Sequence, residues 1–260
     1  VPELKIGLQL SSLRQPFRTA LRTAAELGIG AIELDARSEV RPHDMSQSAI
    51  RQLRKLLDDL QLRVCGVSFY TRRGYGVPDE LDRRVEATRQ AMQLAYALGT
   101  PVVINQVGRV PATSEGPEWE LLIDVLRDLG DFGQRVGATL CAETGSESGA
   151  DLLRLVQALP DGALGVALNP GNLVVNGFSP LDAAELLGPY VRYVHVKDAV
   201  HDLGRGRGVE VEIGRGSVDF PALLGALEEH DYRGYYTIER EGAADPVFEI
   251  QQAIRFLKAL

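Results

Sequence analysis

The sequence predicts a single closed (β/α)8 TIM barrel spanning residues 1–260, on three observations. Short apolar runs alternate with helical patterns eight times from end to end, with no linker-like shift in composition. The length of 260 residues suits one such barrel, which takes about 250. The last four apolar runs end in polar side chains, Glu143, Asn169, His195 and Glu239. Glu143 and Asn169 are 26 residues apart, as are Asn169 and His195, which is one strand-plus-helix unit each time.

In order, Leu4 to Leu10 reads as the first strand, and Pro16 opens a helix that Gly28 closes. Ala31 to Leu34 is the second strand, followed by a helix from about Ser46 to Leu60. Leu62 to Phe69 is the third, and Asp79 is placed to cap a long helix to Leu98. Pro101 to Val107 makes the fourth, with a helix over Glu118 to Val136; Ala138 to Glu143 makes the fifth, with a helix from about Ala150 to Leu159. The sixth runs from Leu164 to Asn169, and its small residues Gly165 and Ala167 leave room inside a crowded barrel. Ser179-Pro180 starts a short helix before the seventh strand. A Gly-rich loop then runs to Gly216, Asp219 to Glu229 is helical, Tyr235 to Glu239 is the eighth strand, and Asp245-Pro246 starts the last helix. An open doubly wound sheet would need a Gly-rich phosphate turn after the first strand, and Ser11-Ser12-Leu13-Arg14-Gln15 is not one.

Chemistry concentrates in Tyr193-Val194-His195-Val196-Lys197-Asp198. Alternation sends Tyr193, His195 and Lys197 to one face, and the C-terminal end of a parallel strand is where such folds place their sites. Nitrogen and oxygen ligands repeating once per unit converge if the sheet closes, which suits a divalent metal held by Glu143, Asn169, His195 and Glu239. Lys197 can pair with Asp198 or Glu239, or act as an acid with a depressed pKa. Glu33, at the second strand's end, reads as a structural ion pair, with an inward role holding neighbouring ligands as the alternative. His43, His201 and His230 read as solvated. Two rim loops carry candidate substrate contacts: residues 70–78, with Arg72, Arg73 and Tyr75 as a lid, and residues 200–216, with Arg205.

The net charge of −8, from 28 basic and 36 acidic residues, argues against a nucleic-acid partner. No apolar run is long enough to span a bilayer, and the chain begins without a basic-then-apolar leader. Cys65 and Cys141 sit in apolar runs as reduced, buried thiols, which fits a cytoplasmic protein. The rim loops leave a homo-oligomer open.

At these residues the chain resembles the sugar phosphate isomerase/epimerase group of xylose-isomerase-like barrels, related in fold to tagatose epimerase and the metal-dependent apurinic endonucleases. The resemblance covers nearly the whole chain. It rests on Ala142-Glu143-Thr144, Asn169-Pro170-Gly171-Asn172, His195-Val196-Lys197-Asp198, Gly214-Arg215-Gly216-Ser217-Val218-Asp219-Phe220 and Ile238-Glu239. It implies one divalent ion, often manganese, with magnesium, cobalt or zinc as alternatives, and a small sugar substrate. Its ligands would be Glu, Asp, His and Glu, which map onto Glu143, Asn169, His195 and Glu239. Asn169 departs from the aspartate of the pattern, and Asn172 stands where related epimerases carry a substrate-contacting histidine. The implied chemistry is proton transfer next to a carbonyl through an enediolate, with Glu143 and Glu239 serving opposite faces of the carbon and Lys197 steering an oxyanion. A lyase acting on an oxidised sugar, and a non-catalytic carbohydrate-binding barrel with a degenerate metal site, are the alternatives. A multi-metal endonuclease would need histidines on early strands, and the first four strands have none.

Overall fold

The computed structural model describes residues 4–202, 204 and 207–260. Among these, the barrel strands are β1 (Ile6–Gln9), β2 (Ala31–Asp35), β3 (Arg63–Ser68), β4 (Val102–Asn105), β5 (Thr139–Glu143), β6 (Gly165–Leu168), β7 (Val191–Val196) and, after a hairpin of β8 (Asp198–Asp202) and β9 (Arg207–Val211), β10 (Tyr236–Ile238). All eight barrel strands are parallel, and β1 pairs with both β2 and β10, so the sheet closes on itself and has no free edge.

The helices are α1 (Phe17–Glu26), α2 (Gln47–Asp59), α3 (Leu81–Leu98), α4 (Pro117–Val136), α5 (Gly149–Gln157), α6 (Pro170–Val175), α7 (Pro180–Leu187), α8 (Phe220–Glu229) and α9 (Pro246–Ala259). Their apolar stripes pack on the outer faces of the strands, where leucine, isoleucine and valine make the larger core. A smaller core of Ala31, Cys65, Ile104, Cys141, Ala167 and Tyr193 fills the barrel. Small residues are required there: a Cβ on Gly66 would lie 2.9 Å from Tyr193 Cε2, and one on Gly165 would lie 2.9 Å from Cys141 Sγ. The Tyr193 ring thus plugs the interior directly beneath the site.

Three local expectations are corrected. Asp79 does not cap α3; Glu80 holds the cap position in a left-handed conformation with φ 51°, and Asp79 pairs with Arg73 instead. The Gly-rich segment after Asp198 is the antiparallel hairpin β8–β9. A further short helix, α6, begins directly after Asn169, whose side chain caps it. The cap residues Ser179, Asp219 and Asp245 do accept from the first turns of α7, α8 and α9.

Candidate active site

The strand ends bring Glu143, His195 and Glu239 together, with ligand atoms within 4.8 Å of one another and all three residues buried. His195 is the pivot. Its Nε2 lies 2.7 Å from Glu33 Oε2, and that same oxygen accepts from the Tyr193 hydroxyl at 2.9 Å. Gln9 Nε2 donates to the other Glu33 oxygen at 3.3 Å, and Ser12 donates to Gln9 at 3.0 Å. Glu33 thus fixes the ring and its tautomer, with the Nε2 proton on the Glu33 side. Nδ1 then faces the other two carboxylates, 3.1 Å from Glu143 Oε1 and 3.7 Å from Glu239 Oε2, yet has no hydrogen-bond partner of its own. A buried imidazole nitrogen without a partner, braced from behind and flanked by two carboxylates, fits a metal ligand set of Glu143, His195 and Glu239.

Asn169 does not join that set. Its Oδ1 accepts the Asn172 backbone N–H at 3.0 Å as the cap of α6, and Nδ2 donates to Glu143 Oε1 at 3.1 Å and Glu239 Oε2 at 2.7 Å. A helix cap needs an acceptor, so the oxygen is committed and only the NH2 group faces the site. The expected fourth ligand is instead a donor that spaces the two carboxylates.

The remaining electrostatics follow from burial and charge. Burial works against the His195 imidazolium, but the Glu33 and Glu239 carboxylates outweigh it and hold the metal-free ring well above the usual histidine range, so an ion bound at Nδ1 would displace a proton. Burial pushes Glu33 and Glu143 up, yet His195 overrides it and both lie below the usual carboxylate range. Glu239 lies above that range because burial outweighs the neighbouring His195 and Lys197. Lys197 donates to Glu239 at 2.9 Å and Glu241 at 3.1 Å, and these charges overcome burial and push its pKa up. The expectation of an acidic lysine is therefore corrected: Lys197 is a fixed positive charge, paired with Glu239 and not with Asp198.

Asp198 has a different task. Its carboxylate accepts the backbone N–H groups of Ala199, Gly214, Gly216 and Val218, tying the hairpin and the segment before α8 to the end of β7.

Arg72 and Asn172 line one cavity of ≈ 420 Å³ together with Glu143 and Gln106. Tyr75 is not a substrate contact: it is fully buried, with its hydroxyl 2.7 Å from Thr88 Oγ1. Arg205 lies outside the described residues. His43, His201 and His230 are exposed. Sequence reasoning missed Tyr70 and Gln106, which donate to Glu143 at 3.2 and 3.3 Å. Each is a polar residue just beyond an apolar strand, the same signal that marked the strand-end ligands.

The profile of the xylose isomerase-like TIM barrel family matches residues 21–260. The chain belongs to that family. An inosose dehydratase of Geobacillus kaustophilus (strain HTA426) is 26% identical over 141 residues, which are 48% of this chain and 46% of that protein, so the match spans about half of each. The crystal structure of a xylose isomerase domain protein from Planctomyces limnophilus superposes with a TM-score of 0.88 at 26% identity, covering 99% of this chain and 97% of that one. A D-tagatose 3-epimerase-like protein superposes with a TM-score of 0.79 at 20% identity, covering 98% of both chains, and shares the fold. No helix among the described residues is long and apolar enough to cross a membrane.

Proposed function

We propose that this protein is a metal-dependent isomerase or epimerase of a sugar or sugar derivative, acting by proton transfer next to a carbonyl. The observation that carries the reading is the convergence of Glu143 and Glu239 on the unpartnered Nδ1 of His195. A divalent ion held by Glu143, His195 and Glu239, with manganese the first candidate, would supply Lewis-acid stabilisation of the negative charge that forms as the carbon loses its proton.

The chain's own groups supply the rest. Glu143, ionised and oriented by Tyr70, Gln106 and Asn169, is placed to take a proton from one face of the carbon. Glu239, the second carboxylate of the set and oriented by Lys197 and Asn169, is placed to exchange the proton on the other face. Lys197 keeps a positive charge beside Glu239, where it favours an enediolate oxygen. Tyr193 and the apolar interior seal the floor against water from below. The buried thiols Cys65 and Cys141, each pushed up to about 12 by burial, are unreactive and suit a reducing cytoplasm.

The test is deuterium incorporation from D₂O into ketoses, followed by NMR with manganese added. Exchange that is lost in Glu143→Gln supports the reading; a broad ketose panel without exchange in the metal-loaded protein overturns it. The similarity to an inosose dehydratase favours a second reading, a lyase in which the same enediolate expels a β-hydroxyl. Water loss, seen as a new conjugated-ketone absorbance, separates it from isomerisation.

A further inference from the structure

The geometry points to an anionic substrate, a sugar carrying a carboxylate or phosphate whose charged end is received by Arg72 and Arg109. This rests on the sugar proton-transfer reading and adds the substrate's charge to it. Both arginines line the ≈ 420 Å³ cavity that also contains Glu143, so one small molecule filling it touches the reacting end and the arginines together. Neither has an ion-pair or hydrogen-bond partner among the described residues. The nearby Arg73, by contrast, is paired with Asp79.

The surrounding charge has the same sign. The adjoining cavity of ≈ 600 Å³ is lined by six arginines, Arg72 among them, against the single carboxylate of Glu80. Arg41, Arg73 and Arg83 are neutralised by Asp44, Asp79 and Glu80. Arg84 is held by backbone carbonyls and Arg37 stacks 5.0 Å over the Phe69 ring, so neither loses its charge to a carboxylate. In a chain of net charge −8, uncompensated cations gathered on this side of the rim make a field that attracts anions toward Glu143. The opposite side of the site carries Glu239 and Glu241 around Lys197. A substrate with one charged end is thereby oriented, tail to the arginines and carbonyl to the glutamates.

The two arginine loops are also held in place before any ligand arrives. Tyr75 N–H donates to Val107 O at 2.9 Å, and Thr71 Oγ1 donates to Gln106 O at 2.7 Å. Gly74 and Gly108 cross backbone to backbone, with φ 59° and 103°, and a Cβ on Gly74 would collide with Gly108. With the loop backbones fixed, only the two exposed arginine side chains are left to order around the oxygens of a carboxylate or phosphate.

The experiment titrates the magnesium-loaded protein calorimetrically with D-fructose, D-fructuronate, D-fructose 6-phosphate and inorganic phosphate. At least one of the charged sugars binds about tenfold tighter than D-fructose, and Arg72→Gln/Arg109→Gln reduces that advantage to about twofold or less. Arg127→Gln/Arg135→Gln, the same charge change at two exposed sites on α4, keeps it. Whichever of fructuronate and fructose 6-phosphate gains more identifies carboxylate or phosphate as the tail. Equal binding of neutral and charged sugars, or an advantage that survives the double variant, overturns the anion site. If no sugar binds, phosphate decides: equal phosphate binding by parent and folded double variant overturns it as well. Deuterium exchange on the same sugars reports separately on proton transfer. Exchange of D-fructose without any charge preference removes the anion site alone, whereas tight anion binding without exchange removes the proton-transfer reading alone.

Discussion

Asn169 sets how much negative charge faces the metal position, and its two side-chain atoms divide the work. The oxygen caps α6 through Asn172 N–H and the NH2 group lies against Glu143 and Glu239. An aspartate in the same rotamer would cap with one oxygen and present the other to the ion. Asn169→Asp is therefore expected to raise metal affinity by about tenfold or more, since a charge-assisted contact is worth roughly 1.5–3 kcal/mol. Competition against a chelating dye measures it, and an unchanged affinity would mean that the freed oxygen does not reach the ion. Glu239→Gln removes one of the two anionic ligands, so most of the metal is expected to be lost on desalting; full occupancy by elemental analysis would exclude Glu239 as a ligand. The ligand types and their spacing were readable in the sequence because one polar residue ends each strand. Which atom of Asn169 faces the site was not, because Asn169-Pro170-Gly171-Asn172 read as a turn, and a helix of only six residues, Pro170–Val175, is too short to show a helical period. Glu33 was legible as a buried partner in an apolar strand, but its contact with His195 crosses the barrel and only closure brings it about.

At the level of elements, the loops hold the surprises. Residues 70–78 read as a mobile lid, yet Tyr75 is buried and its N–H bonds to Val107. The Tyr75 amide is expected to resist hydrogen exchange without any sugar present, nearly as well as the β3 amides; exchange at the rate of an open loop would restore the lid. The glycines of residues 200–216 read as part of a rim loop, whereas Gly208 lies so close to Val174 and Val175 that a side chain would not fit. Glycine here serves close packing of the hairpin on α6, and composition cannot tell that use from a loose turn. Asp198 gathers this region through its four backbone N–H contacts. Removing it in Asp198→Ala leaves buried donors without acceptors, and the expected loss is about 3 kcal/mol or more of unfolding free energy in urea. A loss below 1 kcal/mol would mean that water replaces the carboxylate and that the hairpin is held by other contacts.

For the molecule as a whole, the order and number of strands were legible because apolar periodicity switches cleanly between the two patterns eight times. Closure was legible only through the repeat of polar strand ends, which has a purpose only if the strands meet in a ring. Burial of charge was not legible, and it sets how stability responds to pH. Glu39 and Glu147 are both pushed up to about 7, chiefly by burial. Each holds its proton in the folded chain over a range where the unfolded chain has lost it. Below the ordinary value of 4.5, both states are protonated and Glu147 exacts no penalty. Between 4.5 and about 7 the unfolded chain alone ionises, so stability falls as pH rises, and above about 7 the loss is constant. Glu33 and Glu143, held low beside His195, act in the opposite sense and are lost as stabilisers only as pH falls below the ordinary carboxylate value. Glu147 is 7% exposed and lies 2.5 Å from Ser146 Oγ, a bond that an amide oxygen can also accept. Glu147→Gln removes the ionisable group without removing that acceptor. It is expected to stabilise the protein by up to about 3 kcal/mol at pH 8 and to leave stability at pH 4.5 nearly unchanged. Urea unfolding at the two pH values measures the difference; an equal gain at both would mean that repacking and not ionisation accounts for it.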